Sequence, residues 1–150
     1  VMEWDCLINL LKIIMSNLEK TLSIIKPDAV ERNLENEIKE IFKRKGFLIK
    51  KEKKIQIEKS EAEKFYKVHE TKPFFNDLCS YLSSGPIVAM VLEKENSVLE
   101  NRELMGATNP KDAAEGTIRK KYGISIDKNS VHGSDSVENA KTEIDFFFKD

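Results

Sequence analysis

At 150 residues the chain has the length of a single domain, enough to bury roughly two-thirds of its unfolded surface. Hydrophobic residues make up 40% and charged ones 34%, with eight Phe, which excludes a disordered or low-complexity chain. Lys and Arg total 25 against 26 Asp and Glu, a formal net charge of −1, so no global charge recruits nucleic acid or an anionic membrane. Anion binding, if any, has to be built locally.

The first seventeen residues, VMEWDCLINLLKIIMSN, place Trp4, Leu7, Ile8, Leu11, Ile14, Met15 and Leu18 at helical spacing, which predicts a short amphipathic helix. Asn9 and Lys12 interrupt the apolar run, and it is too short to span a bilayer. No basic leader or A-x-A site accompanies it, which argues against a secretory signal. The segment reads as an N-terminal extension over 1–17, with the domain proper over 18–150; a docking helix for a partner is the alternative. TLSIIKP (21–27) is an apolar run stopped by Pro27 and predicts a buried strand. From Asp28 to Lys45, Val30, Leu34, Ile38, Ile41 and Phe42 predict one amphipathic helix capped by Gly46. FLIKKEKKIQI (47–57) alternates as a half-exposed strand does. Ser60 and Glu63 have capping-box spacing and predict a helix start. A helix is expected over Phe74–Leu82, and IVAMVLE (87–93) is the clearest buried strand in the chain. Helices over Asn96–Met105 and Ala113–Lys121 follow, separated by GATNPKD. A short strand precedes His132, and a last helix runs from about Ser136 to Phe148.

Strands and helices therefore run β-α-β-α-β-α-β, which predicts one α+β sandwich around a sheet of about four strands. Cys6 and Cys79 lie far apart without metal or C-x-x-C spacing and read as reduced thiols of a cytoplasmic protein.

The chemistry begins at NSVHGSDS (129–136). A neutral imidazole, with an unperturbed pKa of about 6.5, is a nucleophile that accepts a phosphoryl group covalently. Taken alone, the octapeptide leaves His132 equally readable as a hydrogen-bonded structural histidine at a strand end. Zinc has little support, because His69 and His132 are the only histidines and no Cys pair joins them. G-x-S-x-G, a P-loop and G-x-G-x-x-G are all absent. A nucleotide would thus have to be held by side chains, for which Lys26, Arg102, Thr108 and Arg119 are the candidates. Each of these, taken singly, is an ordinary solvated surface group.

In order along the chain, SIIKPDAV, YKVHETKPFF, SGPIVAMVLE, GATNPKDAAEGTIR and NSVHGSDS together resemble the nucleoside diphosphate kinases, from about Lys20 to Phe148. The resemblance implies a ferredoxin-like sandwich, a four-stranded antiparallel sheet covered by helices. It implies transfer of the γ-phosphoryl group of a nucleoside triphosphate, typically ATP, to a nucleoside diphosphate. The route would be ping-pong through phosphohistidine at His132, with Mg²⁺ carried by the nucleotide phosphates and broad base tolerance. On the same basis Glu143 orients the imidazole and Ser134 supports that carboxylate, while Lys26 and Tyr66 lie near the transferred group. Arg102, Thr108 and Arg119 form the phosphate clamp, Phe74 stacks on the base, and Asn129 with Lys26 reaches the sugar. His69 is given only a place at the pocket rim. The resemblance also implies a homo-oligomer, tetramer or hexamer.

Two departures stand out: LENEI should extend the first helix where many relatives carry a glycine, and Glu115 replaces a common proline before GTIR. The basic run KRKGFLIKKEKK suggests a nucleic-acid module only weakly, and a solvated strand face explains it as well. An inactive scaffold is disfavoured, since every catalytic position is filled.

Overall fold

The computed structural model describes residues 2–16 and 18–148. Among these, the elements in chain order are α1 (Met2–Ser16), β1 (Leu18–Ile25), α2 (Pro27–Glu31), α3 (Glu35–Arg44), β2 (Leu48–Ile55), α4 (Lys59–Phe65), α5 (Phe75–Leu82), β3 (Ile87–Glu95), α6 (Ser97–Met105), α7 (Ile118–Tyr122), β4 (Val131–Gly133) and α8 (Val137–Phe148). The strands form one sheet in the order β2-β3-β1-β4, and each neighbouring pair is antiparallel. This is the expected ferredoxin-like sandwich.

The two apolar runs occupy the two central places, which is where burial on both faces requires continuous hydrophobicity. Because side chains alternate across a strand, each run feeds two cores. Ile25 of β1 and Val88, Met90 and Leu92 of β3 face Ile38 and Phe42 of α3, Met105 of α6 and Ile118 of α7. Leu22 and Ile24, with Ile87 and Ala89, face Ala62 and Tyr66 at α4, Cys79 and Leu82 of α5 and Phe147 of α8. The charged run LIKKEKKI lies at the sheet edge as β2, with a register irregularity between Ile49 and Lys51.

Four local expectations need correction. The helix expected over 28–45 is two helices, because Asn33 adopts φ 60° and turns the chain before α3 begins at Glu35. Asn tolerates the left-handed region where most residues do not, and the apolar spacing survives the break. LENEI therefore starts a new helix instead of extending the first. The capping pair is Glu58 and Glu61, whose backbone N–H and Oε1 meet at 3.2 Å, two residues earlier than expected. Residues 113–117 are not helical: Gly116 has φ 88°, and Thr117 caps α7 by accepting the Lys120 N–H at 3.3 Å. Finally, His132 lies within β4, paired with Ile24, not beyond the strand's end.

Candidate active site

Strand alternation aims the catalytic candidate. Val131 belongs to the α3/α6 core, and a Cβ at Gly133 would meet Asn101 Nδ2 at 2.4 Å and Met105 Cε at 2.7 Å. His132 therefore points to the other face, where its ring stands edge-on to Phe65 at 5.4 Å and to Tyr66 at 6.2 Å between centroids. From α8, Glu143 reaches back under β4, and His132 Nε2 lies 2.7 Å from its Oε1. Ser134 Oγ donates to the same oxygen at 3.3 Å and accepts the Leu22 backbone N–H at 3.3 Å. A carboxylate at this distance accepts only an N–H, so the Nε2 proton is fixed and the neutral ring's lone pair lies on Nδ1. Burial, with Glu143 nearby, holds the Tyr66 phenol protonated well above the usual tyrosine range.

Cationic groups gather around this histidine from three other elements. Lys26 caps α2, its backbone N–H bonds Ser130 O at 2.9 Å, and its Nζ donates to Asn129 Oδ1 at 2.9 Å. Burial first, and then the Arg119 charge, lower the Lys26 pKa to about 8, with Asp28 and Asp127 opposing. Asn129 is itself buried and donates from Nδ2 to Thr108 O at 3.0 Å, which fixes the loop carrying that hydroxyl. Arg119 donates from Nη1 to Gly106 O at 3.0 Å and from Nη2 to Val131 O at 2.9 Å. Burial and then Arg102 lower its pKa to about 10. Arg102 and Thr108 are exposed. Lys26 and Arg119 thus spend their hydrogen bonds on neutral acceptors while repelling each other. Such a cluster gains strongly from a polyanion laid across it.

A line of rings leads away from the histidine. Tyr66 lies 6.2 Å from His69, and His69 lies 5.9 Å from Phe74, whose ring is 46% exposed. His69 Nδ1 is buried without a partner, and burial followed by Lys72 lowers its pKa, which favours the neutral ring. A cavity of about 430 Å³ lined by Arg102, Met105, Gly106, Thr117 and Arg119 opens beside the arginine pair. The larger one, about 620 Å³ between α3 and α7, contains none of the candidate residues.

The structure brings together every residue singled out from the sequence: His132, Glu143, Ser134 and Tyr66 on one side, Lys26, Asn129, Thr108, Arg102 and Arg119 on the other, and Phe74 at the end of the rings. His69, expected at the rim, stands between Tyr66 and Phe74. Phe65 escaped notice, although it covers the imidazole edge. Only its place beside Tyr66 on an amphipathic helix could have suggested it, and core packing explains that pattern equally well. The Tyr81 hydroxyl, which donates to Asp28 Oδ1 at 2.6 Å and accepts the Asp28 N–H at 2.8 Å, was likewise invisible in sequence.

Comparison with known proteins adds a further line. A family model described as nucleoside diphosphate kinase matches residues 19–150. A nucleoside diphosphate kinase of Nitratiruptor sp. is 59% identical over 131 residues, 87% of this chain and 96% of its own length. One from Campylobacter jejuni is 58% identical over 132 residues, 88% and 96% respectively. Among solved structures, the Aquifex aeolicus enzyme superposes with a TM-score of 0.86 at 42% identity, covering 87% of this chain and 95% of that one. The Encephalitozoon cuniculi enzyme gives 0.85 at 39% identity, covering 88% and 90%.

Proposed function

The chain belongs to the nucleoside diphosphate kinase family and is a phosphotransferase acting on nucleotides, and from that premise we propose a ping-pong mechanism through phosphohistidine at His132. The 2.7 Å contact between His132 Nε2 and Glu143 Oε1 carries this reading. With the proton held on Nε2, the Nδ1 lone pair attacks the γ-phosphorus of a nucleoside triphosphate. The bond from that phosphorus to the β-γ bridging oxygen breaks, and the nucleoside diphosphate leaves with the electron pair. The positive charge this leaves on the ring is shared with the Glu143 carboxylate, which Ser134 steadies. A second nucleoside diphosphate then takes the phosphoryl group by the reverse path.

Lys26 and Tyr66 serve the transferred phosphoryl, and Arg102, Thr108 and Arg119 neutralise the phosphate chain. Asn129 and Lys26 receive the sugar hydroxyls. The exposed Phe74 ring offers a face on which any base stacks, which supports broad base tolerance. Mg²⁺ enters with the nucleotide phosphates as part of the substrate.

Much of the basic run is paired off: Lys43 with Glu40, Lys50 with Glu93, Lys54 with Glu35, and Lys53 over the Phe148 ring. A nucleic-acid role gains nothing from it. We place residues 1–17 outside the kinase module, since the α1 side chains Trp4, Leu7, Ile8, Leu10 and Leu11 are 46–70% exposed. Among the described residues no helix is long and apolar enough to cross a membrane. A cytoplasmic homo-oligomer, tetramer or hexamer, completes the proposal.

The decisive test incubates the chain with Mg²⁺ and ATP labelled in the γ-phosphoryl group. One acid-labile, base-stable phosphoryl group is expected, lost in His132→Ala and chased by several different nucleoside diphosphates. Undiminished labelling of His132→Ala would sink the assignment.

A further inference from the structure

The three nucleotide-handling segments hang on different elements: Lys26 on α2, Arg119 on α7, and Asn129 on the loop entering β4. One side chain outside the pocket touches all three supports. Arg32, just past α2, donates from Nε to Asp28 O at 3.1 Å, and its Nη2 meets Asp28 Oδ2 at 3.4 Å. The same Nη2 donates to Tyr122 O, the last residue of α7, at 2.6 Å, and reaches Ser130 Oγ at 3.5 Å. Each contact lies next to a binding residue. Asp28 follows Lys26 by two positions and is held in turn by Tyr81. Tyr122 lies one helical turn past Arg119. Ser130 follows Asn129, bonds the Lys26 N–H through its carbonyl, and holds φ 76° without being glycine. That left-handed backbone is strained for a non-glycine residue and persists only where its surroundings impose it.

We propose that Arg32 is a positioning residue: its guanidinium links α2, the end of α7 and the Asn129–Ser130 turn, and so sets the spacing of Lys26, Arg119 and Asn129 around the bound nucleotide. This rests on the phosphohistidine reading above. The Arg32 side chain is 36% exposed, and ion pairs at that exposure add little to global stability. Its value lies in geometry. It has no contact with the His132–Glu143–Ser134 group, which hangs on β4 and α8, so it acts on nucleotide handling and not on the reactivity of the imidazole.

The test compares two phosphoryl donors on the full chain, ATP with Mg²⁺ and phosphoramidate, a small donor with no sugar or base. Arg32→Ala is expected to cut kcat/KM for ATP about ten- to a hundredfold, mainly through KM, while labelling of His132 by phosphoramidate, whose phosphoryl group meets Lys26 but not the sugar contacts, falls at least about threefold less. Equal losses with both donors, or no loss with ATP, overturn the proposal. If Arg32→Ala fails to fold, Arg32→Lys decides, because it keeps a charge for Asp28 but lacks the fork. It should lose at least about threefold with ATP and measurably less with phosphoramidate, and any other pattern overturns the role. An unmodified chain that ATP leaves unlabelled sinks the phosphohistidine reading and this proposal together. A labelled chain indifferent to Arg32 sinks the proposal alone.

Discussion

The Lys26 ammonium is held where its charge is costly. Burial and Arg119 bring its pKa from 10.5 to about 8, so below pH 8 the folded chain keeps a charge that the unfolded chain would carry more cheaply. Between about 8 and 10.5 the unfolded state binds more protons, so this group's contribution to stability rises with pH across that window and is lost again as pH falls through 8. Lys26→Met removes the cost and should raise Tm at pH 7 by about 3–6 °C, while turnover falls about a hundredfold. Thermal melts of both chains from pH 7 to 10.5 check it: the Tm gap should close as pH rises. In the same range KM for the nucleoside diphosphate should climb above pH 8, as the free enzyme loses the Lys26 charge. Glu143→Gln offers the matching test on the other side of the pocket. If the ring is phosphorylated as proposed, an amide in this place cannot share its positive charge, so kcat should fall about a hundredfold with KM and far-ultraviolet circular dichroism nearly unchanged.

At the scale of elements, β4 and α6 are packed closely enough to depend on a missing side chain. A Cβ at Gly133 would stand 2.4 Å from Asn101 Nδ2 and 3.0 Å from Met105 Sδ, both on a helix that also carries Arg102. Gly133→Ala should push α6 and β4 apart, costing about 1–3 kcal/mol in denaturant melts and lowering kcat/KM more than an equally destabilising change elsewhere. The elements were unevenly legible in sequence. β1 and β3 announce themselves as continuous apolar runs because both their faces are buried. The break at Asn33 does not, since apolar residues resume at helical spacing on its far side. AAEGTIRK reads as helix by composition, yet Gly116 takes a left-handed backbone that ends any helix there, so only its last residues join α7. The residues of the candidate site stand in long motifs, which is how sequence alone singles them out. The reach of Glu143 was not legible, because eleven residues of sequence say nothing about how closely α8 packs on β4.

At the scale of the whole molecule, the sheet separates two cores with different duties. Phe42 is fully buried in the α3/α6 core, remote from the imidazole, whereas Phe147 shares its core with Tyr66 and packs on Phe65 at 5.2 Å. Phe42→Ala should cost about 3–5 kcal/mol in urea melts and leave kcat per folded molecule close to the parent. Phe147→Ala should cost a similar amount and in addition reduce kcat, because it loosens the helix that presents Glu143. Equal kcat in the two variants would show that the cores do not divide the work this way.

The Leu22 amide follows from the same arrangement. It is fully buried in the central strand, yet its N–H bonds Ser134 Oγ, which bonds Glu143, which bonds the reacting ring. Three hydrogen bonds connect the middle of the sheet to the imidazole. On the proposed mechanism, a ring that gains a phosphoryl group and a positive charge would draw the carboxylate toward it, and the serine hydroxyl would follow. The backbone resonance of Leu22 is therefore a natural reporter, shifting with each half of the catalytic cycle from a position no solvent or nucleotide can touch.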